Sequence, residues 1–269
     1  MRFVLDLYAR LISIQIQSQM EYRASFLLEL VGTAMGTAAN FGTLALIFAR
    51  FDHISGWTLS DVAFLYGMVE MAFGTMDMLF SGFDPRSFGE QVRRGTFDQL
   101  LLRPVNITVQ VLGSDFQLRR ISRITQGLVV FVFALIKGSV HWTTLKVLYL
   151  PIVLASLICF FGALFIIGAT ITFWTIQSIE VVNIFTYGGT EMMSYPMHIY
   201  QDWIRRFFTY VVPAIFLNYY PALYFLDKPD PLHMPAFAPF LSPLVGAGTM
   251  ALALAFWRFG IRHYKSTGT

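Results

Sequence analysis

The sequence predicts an all-α integral membrane protein, and three observations carry that prediction. Of the 269 residues, 56% are hydrophobic and only 13% are charged, whereas a soluble domain carries about 25% charged residues. Mean hydropathy is +0.59. Several uncharged runs reach the ~20 residues that cross ~30 Å of hydrocarbon as helix, the longest being Val147 to Trp174. In lipid each span must satisfy its own backbone polar groups, and an isolated apolar run does so as a helix.

Taken in order, residues 1–22 read as an interfacial amphipathic helix. Val4, Leu7, Tyr8, Leu11 and Ile12 recur at helical spacing, with Arg2, Asp6 and Arg10 elsewhere. They lack the compact apolar core and small residues of a cleavable leader, so none is expected. Residues 23–269 form a single six-span domain. The first span runs from Phe26 to Ala49 and carries Gly32 and Gly36 as a GxxxG stripe. Small residues let another helix approach closely, within the chain or from a second copy. Glu29, near its start, is expected to reach the headgroups.

The second span, about Ser60 to Gly82, carries Glu70 and Asp77, seven residues apart and so on one face. A polar segment, 83–120, follows. The third span, about Ile121 to Ile136, is short, so Arg119, Arg120 and Arg123 are expected to snorkel to the headgroups. The fourth is Val147 to Trp174, which leaves the lone Cys159 in an apolar run without a disulfide partner. The fifth, about Val181 to Tyr200, contains Glu191.

Residues 207–226 are uncharged and long enough to cross, but Pro213 and Pro221 interrupt them. Within a segment 201–231 they are expected to form two short helices that dip in and return to the same side. Backbone of that kind survives at membrane depth only when protein or a wet cavity covers it. The sixth span is about Ala238 to Trp257. With both termini inside, 13 of the 19 Lys and Arg lie inside: Arg2, Arg10, Arg23, Arg86, Arg93, Arg94, Arg103, Arg119, Arg120, Arg123, Arg258, Arg262 and Lys265. A full crossing at 207–226 would leave 11 inside, because Arg258, Arg262 and Lys265 move out and Lys228 moves in. The positive-inside rule prefers six spans.

Several chemistries find no motif. GxxxxGK[ST] is absent, so no P-loop cradles a nucleotide. HExxH, GxSxG and paired-aspartate magnesium motifs are absent too. His53, His141, His198, His233 and His263 are scattered, so no metal site is expected. Glu70, Asp77 and Glu191 allow a second reading, an ion-coupled secondary transporter with these acids along its pathway. No Arg or Lys inside the spans offers itself as a partner. The three acids are therefore expected in a wet cavity or protonated, not in buried ion pairs. A third reading, a membrane-embedded transferase, has no motif behind it.

The most distinctive stretch is Arg93 to Pro104. Residues 88–102 form a short helix on paper, with Phe88, Val92, Leu101 and Leu102 as its apolar face. Gly95 bends it, and Pro104 disfavours helix at Arg103 and so ends it. Arg93, Arg94, Asp98 and Arg103 are expected to point away from the membrane. A basic loop held on anionic lipid would have the same arginine content, but not the embedded Gly-Thr-Phe-Asp-x-Leu-Leu-Leu-x-Pro pattern.

Here the chain resembles the permease subunits of type 2 ATP-binding-cassette (ABC) transporters. It looks most like the bacterial six-span permeases encoded beside a separate ATPase and a second, related permease. The resemblance covers nearly the whole chain: the amphipathic N-terminal helix, six spans, the Gly-Thr-x-Asp coupling pattern and the Pro- and aromatic-rich segment Tyr195 to Ala222. It implies that residues 88–104 are a cytoplasmic coupling helix seated in the ATPase, with Arg93, Arg94, Gly95, Phe97, Asp98, Leu101 and Arg103 as contacts. It implies that ATP and magnesium sit on that partner, with no cofactor on this chain. Further implications are a second permease chain paired across spans one and five, with Gly32 and Gly36 suiting the seam, and residence in the bacterial cytoplasmic membrane. No nucleic acid is implied. Export of a hydrophobic or amphipathic cargo is the activity that follows, and the re-entrant segment would cap the outer end of the path.

Overall fold

A computed structural model describes every residue except Met1, Asp52, Ser139, 176–179 and 267–269. Among the described residues there is no strand, only an isolated bridge between Ile54 and Trp57. Helix α1 (Arg2–Glu21) leads almost directly into α2 (Arg23–Arg50). Two amides moor α1 to the polar segment. Gln15 Nε2 donates to the Ser114 carbonyl at 2.7 Å, and Gln19 Nε2 donates to that of Phe116. Gln19 Oε1 accepts from Leu118 N at 3.0 Å.

Helix α3 (Leu59–Leu79) opens on a capping box: Thr58 Oγ1 accepts from Asp61 N, and Asp61 Oδ2 accepts from Thr58 N at 2.9 Å. Three short helices follow, α4 (Pro85–Arg93), α5 (Thr96–Leu101) and α6 (Ile107–Leu112). The chain then returns through α7 (Ile121–Lys137). Helices α3 and α7 pack along their lengths because each offers glycine at the contact. A Cβ added at Gly67 would lie 2.8 Å from Phe131 Cβ, and one at Gly127 would lie 2.7 Å from Met71 N.

Helix α8 (Thr144–Thr175) packs on α3 and on α13 (Ser242–His263). Gly246 of α13 sits so close that a Cβ there would lie 2.6 Å from the Ser156 carbonyl oxygen. Helix α2, by contrast, is exposed along most of its length, touching mainly α7.

The fifth span is helical but short. It consists of α9 (Glu180–Asn183), a π turn (Ile184–Gly188) and α10 (Gly189–Met193). It stops before residue 200 because Pro196 disfavours helix at Tyr195. Helices α2, α3, α8 and α13 are long and apolar enough to cross a membrane. Helix α7, at 17 residues, and the fifth span fall short of that length.

Two short helices, α11 (Asp202–Tyr210) and α12 (Tyr219–Phe225), flank Pro213. The turn between them reaches Asn218, whose Nδ2 donates to the Met193 carbonyl at 2.8 Å. Met193 ends α10, so its carbonyl lacks an intrahelical donor, and Asn218 supplies one. The same amide lies 3.4 Å from the Leu65 carbonyl. Leu65 is six residues into α3, so the turn dips roughly 9 Å at 1.5 Å per residue. The chain climbs back to Asp227, which pairs with the buried Lys146 at 2.7 Å. The bundle thus has two ends, one with α4 to α6 and the other with α11 and α12.

Candidate functional site

The turn between α4 and α5 is built from local signals. Asp84 Oδ1 caps α4 by accepting from Arg86 N and Ser87 N, both at 3.0 Å, and Pro85 takes the first helical position. Gly95 ends that helix with φ +69°, a left-handed conformation glycine adopts without a Cβ penalty. Helix α5 therefore starts afresh and does not extend α4. Asn106 caps α6, and the buried Gln110 donates to the Leu100 and Val105 carbonyls at 3.2 and 3.0 Å, closing the turn after α5. Helices α4 and α5 with this turn form an elbow.

Phe97 bolts the elbow to the bundle. It is fully buried among Phe88, Phe173 and Tyr264, at centroid distances of 5.3, 5.2 and 5.1 Å. Phe173 ends α8, while Trp257 and Tyr264 belong to the end of α13 and just beyond it. Trp257 stacks on Phe173 at 5.3 Å and donates from Nε1 to Thr108 Oγ1 of α6 at 3.1 Å. Aromatic pairs of this geometry each add about 0.5–1.5 kcal/mol beyond area burial. The elbow is therefore packed directly against the ends of α8 and α13.

The opposite face of the elbow is open. Arg93 and Arg94 expose 62% and 69% of their side chains, and Glu90 pairs with both. Leu102 is 86% exposed, and Leu101, Arg103 and Pro104 are exposed beside it. Cations around a bare leucine pair make a surface that another protein can orient on and then cover.

Residues 34–268 match the family model of the ABC-2 family transporter protein. The chain belongs to the ABC-2 transporter family. It is a permease component embedded in the membrane, and the family implies an ABC transporter with an ATPase partner. No curated protein and no solved structure matches the chain.

In this ABC-2 permease the seven candidate contacts divide. Arg93, Arg94, Leu101 and Arg103 lie on the open face, and Gly95 makes the bend. Phe97 turns inward and offers no surface to a partner. Asp98 is half-buried, and its Oδ2 accepts from Ser266 Oγ at 2.7 Å. Tyr264 lies over the same spot. Burial, and then the Asp98 carboxylate, push its phenol up to about 12. The expected apolar face of Phe88, Val92, Leu101 and Leu102 is corrected: the first two are buried and the leucines point out. The left-handed Gly95 breaks the phase between α4 and α5, so one helical face does not run through both. Leu102, expected on that buried face, is instead the most open of these four side chains, at 86% exposed.

The intramembrane acids are also corrected. Glu70 is held by Arg123, Nε to Oε2 at 2.5 Å and Nη2 to Oε1 at 2.9 Å, and that guanidinium lies 4.3 Å over the Phe73 ring. Asp77 pairs with Arg120 at 2.9 Å, and Glu29 with Arg119 at 3.1 Å. Arg120 and Arg123 turn inward to these acids, because the glycine contacts draw the start of α7 against α3, while Arg119 stays near the surface with Glu29. Glu70 and Asp77 sit in ion pairs with Arg123 and Arg120, not alone in a wet cavity or protonated, and with the family shown the secondary-transporter reading falls. Glu191 is exposed on α10, within electrostatic reach of Glu70 and Arg123.

Gly32 and Gly36 face open space, where an added Cβ would meet nothing within 4 Å. Among the described residues no three His, Cys, Asp or Glu side chains gather as a metal site.

Proposed function

We propose that this chain is the permease subunit of an ATP-driven exporter and takes its energy through the elbow. The observation that carries this is the two-sidedness of residues 93–104. One side is exposed and basic around Leu101 and Leu102, and the other is anchored by Phe97 to the ends of α8 and α13. An ATPase subunit seated on the open side would move those helices when it closes on ATP. Only contacts that differ between its two states can do this work. ATP and magnesium belong to that partner. A second permease chain, the same or related, encloses the path, with Gly32 and Gly36 at the seam. The cargo is hydrophobic or amphipathic, and the re-entrant segment caps the outer end. The chain resides in the bacterial cytoplasmic membrane with both termini inside.

The test is co-expression with the partner ATPase. Wild type should retain the ATPase through purification and export lipophilic cargo from ATP-loaded vesicles. Arg94→Glu and Leu102→Glu should each lose the ATPase while still folding. Normal assembly and export by both variants would defeat the proposal.

A further inference from the structure

The end of the bundle opposite the elbow holds a hollow that the proposed function does not use. Its volume is about 260 Å³, and Arg205, Arg206, Thr209, Tyr210 and Tyr220 line it, with the 231–234 loop across one side. The charged groups in its wall are both cations. Arg205 also pairs with the exposed Asp202, which is not part of the wall. Arg206 has no acidic partner among the described residues. The neighbouring Asp230 caps its own loop, accepting from Leu232 N at 2.9 Å and Met234 N at 2.7 Å, but its charge still reaches the Tyr220 phenol, so the two arginines must outweigh one carboxylate.

Tyr220 adds a second, independent observation. It is 1% exposed, its ring stacks on Phe216 at 5.4 Å, and its buried hydroxyl has no hydrogen-bond partner. A buried donor left unsatisfied costs about 1–3 kcal/mol, and such groups in native proteins call for an explanation. An acceptor entering beside the two arginines supplies one. The acceptor that suits two guanidinium forks and a phenol is an oxyanion with several oxygens.

The surroundings point to the interface as the place where it is met. Trp203, Tyr210 and Val211 are 67%, 75% and 66% exposed on and just after α11, a helix with the aromatic, basic character of a membrane-surface element. Along its adjoining side runs an apolar groove of about 330 Å³ formed by Phe185, Met192, Trp203 and Phe207 among others. A charged hollow next to an apolar groove fits a group that carries both kinds of surface.

We infer that the hollow binds a phosphate-type oxyanion, presented either by a phospholipid headgroup or by a free anion. Detergent-purified full-length chain is titrated with phosphatidylglycerol, with diacylglycerol lacking the phosphate, and with inorganic phosphate. Phosphatidylglycerol should bind, and Arg206→Ala should weaken it about tenfold, the size of one lost charge-assisted hydrogen bond. Tyr220→Phe, which keeps the ring, should weaken it as well. Diacylglycerol binding should be indifferent to both. Inorganic phosphate that binds with the same losses identifies a free-anion site, and lipid binding without it identifies a headgroup site. Wild-type affinity for both phosphate probes in Arg206→Ala and Tyr220→Phe would overturn the inference. So would an equal loss in Arg50→Ala, which removes a cation elsewhere.

Discussion

Phe97, two residues past the Gly95 bend, lies edge-on to Tyr264 with ring centroids 5.1 Å apart. The contact ties the only left-handed turn in the elbow to the segment that follows the last helix. Ser266 reinforces it by donating to Asp98. The elbow is thus gripped from inside by aromatic rings and from one flank by the C-terminal residues.

Truncating Phe97 should separate coupling from docking. Phe97→Ala removes a fully buried ring and should cost about 3–5 kcal/mol, much of it local to the elbow. The open face remains, so the ATPase should still copurify and hydrolyse ATP while export is lost. Parallel assays of hydrolysis and vesicle transport check this. Phe97→Leu should recover part of the transport.

Removing the C-terminal grip should be milder. A chain ending at His263 loses the Tyr264 ring and the Ser266 bond, while Phe88 and Phe173 still hold Phe97. ATPase retention should fall several-fold without loss of the folded bundle, read from thermal unfolding and copurification together.

The ion pairs between α3 and α7 make an asymmetric prediction. Glu70→Leu or Arg123→Met alone strands a buried charge and should destabilise by about 3–5 kcal/mol. The double variant removes both charges and should regain most of that loss. A thermal-melt double-mutant cycle in detergent decides it. Two additive losses would show that the pair is not coupled.

Two glycine pairs should behave differently. Gly127→Leu drives a side chain into the Met71 backbone and should lower the yield of folded protein, since overpacking costs about 1–3 kcal/mol or more. Gly36→Leu meets nothing within its own chain. It should leave the single chain intact and shift the assembly toward unpaired permease, measured by cross-linking in membranes.

Local signals made much of this fold legible from sequence. Charge-free runs marked the long apolar helices, Gly95 marked the bend of the elbow and Pro104 its end. Pro213 and Pro221 separated a short-helix segment from a crossing one. What could not be read depends on long-range geometry. Arg123 and Glu70 are 53 residues apart in sequence, and nothing near either names the other. The inward Phe97 and outward Leu102 follow from the sign of one φ angle at Gly95, which a helical-face count does not include. The Tyr220 hydroxyl is unpaired only because the folds of α11 and the 231–234 loop leave it so.

Site-directed cross-linking at the elbow tests the central claim most directly. In a Cys159→Ser background, a photoreactive residue is placed at Leu102, at Phe97 or at Trp203 in the complex carrying its ATPase. A strong permease–ATPase adduct is expected from 102, none from the buried 97 and none from 203 at the opposite end. Adducts from 203 and not from 102, or equal adducts from all three, would contradict it.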